Sequence, residues 1–170
     1  MHDFLNLSIP GFKLSATKVS WDTEAFGYAV GQIHELEITD AVSASKEYRT
    51  FQEWLNINQI AVASCRLPHQ NLRESFFLEE RGFRFVEMVL RPYIKNLDQL
   101  SIPEDILVIA PPSESDLPIM MAIAENAFGC ERYHIDPRID PELGNVRYGR
   151  WVKNSIYHSV QKLYKVMDGN

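Results

Sequence analysis

Residues 28–67, YAVGQIHELEITDAVSASKEYRTFQEWLNINQIAVASCRL, decide the fold. Tyr28 to Ile38 reads as a strand. Ala41 to Asn56 then places Ala44, Tyr48, Phe51 and Leu55 on one face of a helix. Gln59 to Leu67 is a short apolar strand that Pro68 ends. This run of strand, helix and strand predicts an α/β chain, with a mixed α+β sheet and flanking helices.

Working outward, Phe12 to Val19 alternates apolar and polar residues and predicts a strand. Trp21 to Gly27 is a turn or short helix, in which Asp22 is placed to cap the next backbone N–H groups. Asn71 to Arg81 predicts a helix, and Gly82 stands at its C-terminal end, where a left-handed residue is needed. Phe83 to Tyr93 is apolar on both faces, with Phe83, Phe85 and Val89 against Val86, Met88 and Leu90. That pattern suits a central strand. The polar stretch Ile94 to Pro103 ends in proline and marks a boundary, giving domains at 1–97 and 104–170.

The second part opens on a strand, Ile106 to Ala110, which Pro111-Pro112 stops. Ser113 or Ser115 caps the following helix. Ser115 is preferred because Pro118 then falls in the first turn, where proline is tolerated. Leu117, Met120, Met121, Ala124, Ala127 and Phe128 form the apolar stripe of that helix, and Gly129 ends it. Cys130 to Asp140 reads as an irregular loop. Pro141 to His158 is a long helix with Tyr148, Trp151, Val152, Ser155 and Ile156 on one face. Lys162 to Met167 starts a strand, and Asp168-Gly169 is a hairpin-turn signal. The return strand is not written. The second domain is therefore expected to be incomplete, with an open sheet edge that a second copy of the chain could pair in a homodimer.

The formal net charge is −6 over 170 residues. This acidic balance argues against a nucleic-acid partner, which demands a basic patch. Leu117 to Ala124 is the longest nearly unbroken apolar stretch and falls short of the ~20 residues that cross a bilayer. Met1-His2-Asp3-Phe4 lacks the basic start of a signal peptide. No membrane association and a cytoplasmic location are expected. Cys65 and Cys130 are too few and too far apart for a disulfide framework, and Cys65 reads as a buried small hydrophobe.

Most catalytic motifs fail on spacing. No two glycines are separated by a single residue, so G-x-G-x-x-G is absent. Gly144 and Gly149 have the outer spacing of a P-loop, but Arg150-Trp151 follows where Lys-Ser/Thr is required, and Gly144 reads as a mid-helix glycine. The histidines at 2, 34, 69, 134 and 158 form no metal-ligand pair. His134 and Asp136 are near in sequence, yet a hydrogen-bonding role in the loop suits them better than a metal. No serine stands in G-x-S-x-G. The distinctive stretch is Glu131-Arg-Tyr-His-Ile-Asp-Pro-Arg138. It lines a polar pocket, with arginine forks for carboxylate or phosphate and a tyrosine for stacking, or it is a solvated loop fixed by its own ion pairs.

Three patches carry a resemblance. Trp21-Asp22-Thr-Glu-Ala-Phe26-Gly27 resembles the opening motif of the TDP-fucosamine acetyltransferase family of GNAT-type N-acetyltransferases. Ser64-Cys-Arg66-Leu67-Pro68 through Glu80-Arg81-Gly82-Phe83 resembles the N-terminal domain of that family. Ala127-Phe128, Arg132-Tyr133-His134 with Asp136-Pro137, and Tyr148, Trp151-Val152, Asn154-Ser155 resemble the first two helices of its catalytic domain. The resemblance implies N-acetylation of a small amine or amino-sugar by acetyl-CoA. It also implies acceptor contact at Arg132, Tyr133, His134, Arg138 and Tyr148, and assigns no catalytic residue. The family holds the acetyl-CoA pyrophosphate in a glycine-containing strand–helix loop. That loop is missing here, so this chain is expected to bind no cofactor and to be inactive alone. A non-catalytic dimerisation or regulatory module is the alternative.

Overall fold

The computed structural model describes residues 3–99 and 108–167 of the chain. The fold is mixed α/β and divides into two compact units, Met1–Phe85 and Val86–Asn170. Among the described residues, no helix is long and apolar enough to cross a membrane.

The first unit is a four-stranded sheet in the order β1 (Phe4–Ile9), β2 (Phe12–Lys18), β3 (Ala29–Ile38), β4 (Ile60–Cys65). β1 pairs antiparallel with β2, and β2 with β3. β3 and β4 run parallel and are joined by α2 (Ala41–Ile57). A parallel pair needs such a crossover, so residues 28–67 do set the sheet. α1 (Ser20–Phe26) precedes β3, and α3 (Leu72–Glu79) follows β4. Phe12, Leu14 and Ala16 of β2 alternate inward and pack with Ile33, Leu36 and Ile38 of β3. Helix α2 covers that face with Ala44, Tyr48, Phe51 and Trp54, and α3 adds Phe77 and Leu78. Trp54 rather than Leu55 completes the buried stripe, with Leu55 packed at its margin.

Local chemistry sets the ends of these elements. The Asp40 carboxylate accepts from Val42 N at 3.4 Å and Ser43 N at 2.8 Å, capping α2. Gly11 turns the β1–β2 hairpin at φ 89° and lies so close to Asp40 that a Cβ would sit 2.7 Å from the Asp40 Cβ. Glu74 Oε1 accepts from Ile38 N at 2.9 Å and Arg73 Nη1 donates to Ile38 O at 2.8 Å, so α3 holds the end of β3. Gly82 takes the left-handed conformation expected of it, at φ 93°.

Several expectations are corrected. β1 forms a strand that the alternation beginning at Phe12 did not include. The segment Phe83 to Tyr93 forms no strand, and Phe85, Met88, Leu90 and Tyr93 are exposed. Apolarity on both faces makes a central strand only where a neighbour supplies ladder hydrogen bonds on each side. β4 ends its sheet, and no described strand pairs with 83–93. Val19, not Asp22, is the N-cap of α1, and Asp22 lies buried within the first turn.

The second unit contains β5 (Val108–Ala110) antiparallel to β6 (Lys165–Met167), and helices α4 (Leu117–Ala127), α5 (Arg132–Ile135) and α6 (Pro141–Ile156). Residues Ile106 and Leu107 of the expected strand and the Asp168-Gly169 turn lie outside the described residues. Neither serine is the N-cap of α4, which is Asp116; Ser113 caps the 3-10 turn Glu114–Asp116 before it, and Asp116 Oδ2 accepts from Ser113 N at 2.7 Å and from Ser113 Oγ at 2.6 Å. Pro118 still falls in the first turn of α4. Asp116 also receives Lys165 Nζ at 2.9 and 2.8 Å, which ties β6 to this corner. The Lys165 ammonium and the Ser113 donors hold the Asp116 carboxyl well below the usual range. Helix α6 ends two residues before His158, and β6 begins three residues after Lys162.

Candidate functional site

The stretch expected to be an irregular loop contains α5, and this short helix places its side chains against α6. Tyr133 is buried at its centre. Two guanidinium groups stack on the Tyr133 ring, Arg132 at 4.6 Å and Arg147 at 4.3 Å from the centroid. Arg132 also donates to the Tyr133 hydroxyl. Its backbone N–H donates to Glu87 Oε2 at 3.1 Å.

His134 lies flat against α6. Nδ1 meets Glu131 Oε1, and Nε2 is 2.8 Å from Asn145 Oδ1. Asn145 Nδ2 in turn donates to Glu142 Oε2 at 3.3 Å. With the amide NH₂ committed to Glu142, Asn145 presents only its carbonyl oxygen to the imidazole. Gly144 makes this contact possible. A Cβ there would stand 2.7 Å from His134 Cε1 and 2.8 Å from Nε2, inside van der Waals distance. Gly149 plays the same part toward α4, since its Cβ would fall 2.8 Å from Glu125 Cγ and Cδ.

Tyr148 projects from α6 into the same cluster. Its ring stacks on Phe128 at 4.2 Å and lies parallel to the His134 ring at 6.3 Å. Burial, and then the neighbouring Glu131 carboxylate, push its phenol up to about 12. It is therefore neutral at physiological pH, a hydroxyl donor rather than a phenolate. Arg138 stands apart from these groups. Its Nε and Nη2 clamp Asp136 at 2.8 and 2.6 Å, and the Asp136 carboxylate also accepts from Arg138 N at 3.0 Å. The Arg138 fork holds the Asp136 carboxyl below its usual range. This pair is the internal ion pair of the loop, and half of the Arg138 side chain remains exposed.

Of the five residues named by resemblance, the structure brings together Arg132, Tyr133, His134 and Tyr148, and leaves Arg138 in its own pair. Glu131, Arg147, Asn145 and Phe128 belong to the cluster and were not named as site residues. Arg147 and Asn145 carry a readable signal, because they neighbour or precede Tyr148 on the first turns of α6. His134 Nε2 meets Asn145 on α6, and Nδ1 stands beside Glu131 at the start of α5. Cys65 does not supply a nucleophile either, since burial pushes its thiol up to about 12. Among the described residues, no group of three or more His, Cys, Asp or Glu side chains could hold a metal ion.

A pyrophosphate needs helix-start N–H groups free of negative charge. Acidic side chains stand at the starts of α2, α4 and α6, whereas α1 and α3 begin at Val19 and Asn71. Asp40 caps α2, Asp140 caps α6 by accepting from Glu142 N at 3.1 Å, and Asp116 closes the start of α4. Pro141 removes a further N–H from the first turn of α6. Among the described residues, the starts of α2, α4 and α6 thus carry acidic side chains where a pyrophosphate would sit. No family model matches the chain, and no curated protein matches it.

Proposed function

We propose that this chain is a cytoplasmic acetyltransferase-type protein of the GNAT class whose second unit offers an acceptor-binding surface for a small amine or amino-sugar, and that the chain alone does not transfer acetyl groups. One observation supports the acceptor surface: Arg132, Tyr133, His134 and Tyr148, named from a motif resemblance, meet in one cluster on α5 and α6. In this reading the exposed part of the Phe128 ring, backed by the Tyr148 ring stacked on it, packs against a sugar ring. The acid-capped helix starts support the second half of the proposal, because they repel the phosphates that acetyl-CoA would bring. Titrating the ¹⁵N-labelled chain with glucosamine tests the acceptor surface. Saturable shifts confined to α5 and α6 are expected, and shifts spread evenly over both units would defeat the reading.

The second reading is a non-catalytic self-association module. It is favoured by the outer edge of β6, which pairs with no other strand among the described residues. Lys165→Pro removes a backbone donor from β6. Loss of self-association in that variant would favour this reading over the first.

A further inference from the structure

The first unit carries a better-equipped edge than β6. β1 is six residues long, ends its sheet, and pairs with β2 without a bulge. Natural edge strands are usually protected by lysine, internal proline, a bulge or shortness. Phe4-Leu-Asn-Leu-Ser-Ile9 has none of these, and Phe4 is 54% exposed. The hydrogen-bond phase shows which groups are free. Lys18 N donates to Asp3 O at 2.8 Å, so Asp3 and Lys18 form a hydrogen-bonded pair. Such pairs alternate along an antiparallel ladder, which turns the N–H and C=O groups of Leu5, Leu7 and Ile9 toward β2. Those of Phe4, Asn6 and Ser8 point outward.

We propose that β1 is a self-pairing edge, and that two copies of this chain join through antiparallel β1–β1 contact about a two-fold axis at Asn6. The inference is independent of the acceptor surface. The outward groups match this register. Asn6 faces Asn6 of the second copy and exchanges both backbone bonds with it, and Phe4 does the same with Ser8 of the second copy. Leu5 then falls opposite Leu7 of the second copy. Both leucines pack on the helix-covered face, so the two apolar faces continue across the junction. Charge also permits the match. β1 holds no ionisable side chain, and Asp3 falls opposite Ile9 of the second copy, so no like charges meet. A closed two-fold contact of this kind uses the same patch on both copies and terminates at two.

The test is the mass of the full chain by sedimentation over about a hundredfold range of concentration. The wild type should reach twice the chain mass at the upper end. Asn6→Pro deletes an outward N–H without touching the β2 ladder, and Asn6→Lys puts two ammonium groups face to face. Both should remain monomeric with an unchanged far-ultraviolet circular dichroism spectrum. Amide exchange on the wild type provides a readout that needs no variant: Phe4, Asn6 and Ser8 should slow as concentration rises, while Leu5 and Leu7 stay constant. A wild type that is monomeric throughout, a dimer that survives Asn6→Lys, or a dimer lost instead in Lys165→Pro would overturn the proposal.

Discussion

Gly144→Ala tests the packing on which the α5–α6 cluster depends. In an exposed helix this substitution stabilises by roughly 1 kcal/mol, because alanine loses less backbone entropy than glycine. At Gly144 the new methyl would stand 2.7 Å from the His134 ring, and the ring must move. Overpacking of that kind costs about 1–3 kcal/mol. Displacing the ring also breaks the 2.8 Å bond from His134 Nε2 to Asn145, worth about 1 kcal/mol. The balance is a destabilisation of about 1–3 kcal/mol. Urea unfolding followed at the Trp151 indole N–H signal reads the second unit, since Trp151 lies 6.3 Å from Tyr148. Repeating the substitution in a His134→Ala background isolates the cause. With the ring gone, Gly144→Ala should be neutral or stabilising, a coupling of about 2 kcal/mol between the two positions. A wild-type background in which Gly144→Ala stabilises the second unit would refute the reasoning.

Three further outcomes are expected. Tyr148 should ionise near 12 in an ultraviolet titration compared against Tyr148→Phe, and Glu131→Gln should bring that ionisation down. The Asp136 carboxyl is lowered in the folded chain, chiefly by Arg138, so its contribution to stability is present above its ordinary value and is lost as pH falls through the lowered one. Acid unfolding of Asp136→Asn should accordingly show a shallower pH dependence below about 4 than the wild type. At neutral pH a thiol reagent should modify exposed Cys130 well before Cys65, whose thiol burial pushes up to about 12, and equal rates would contradict the packing of Cys65 against the core.

Periodicity made most of the fold readable. The 3.6-residue stripe of α2 and the alternation of β2 reflect a real boundary between core and solvent, and the strand–helix–strand run between Tyr28 and Leu67 could only close as a parallel pair. Phe83 to Tyr93 shows where the same reasoning fails. A doubly apolar pattern records what a segment is able to bury, but a strand also needs hydrogen-bonding neighbours, and these are a property of the whole sheet. β1 was legible by the same alternation as β2, in Leu5-Asn6-Leu7-Ser8-Ile9, and Gly11 closes the hairpin between the two strands. At the site, the Glu131–Arg138 stretch stood out by composition alone, and its internal ion pair is the part that the structure shows. Asp136 and Arg138 are its internal ion pair, while Arg132, Tyr133 and His134 pack inward. What composition could not reveal is that α6 supplies the other half, because Gly144 and Arg147 gain their meaning only when α5 lies against that helix.

The most direct test of the account is thermal unfolding of the chain with and without acetyl-CoA. A ligand that binds only the folded state raises the midpoint in proportion to the logarithm of its concentration. The acid-capped helix starts predict an unchanged midpoint at millimolar acetyl-CoA. A rise that grows with the logarithm of acetyl-CoA concentration would contradict the account, since it would require a phosphate-binding site that Asp40, Asp116 and Asp140 should oppose.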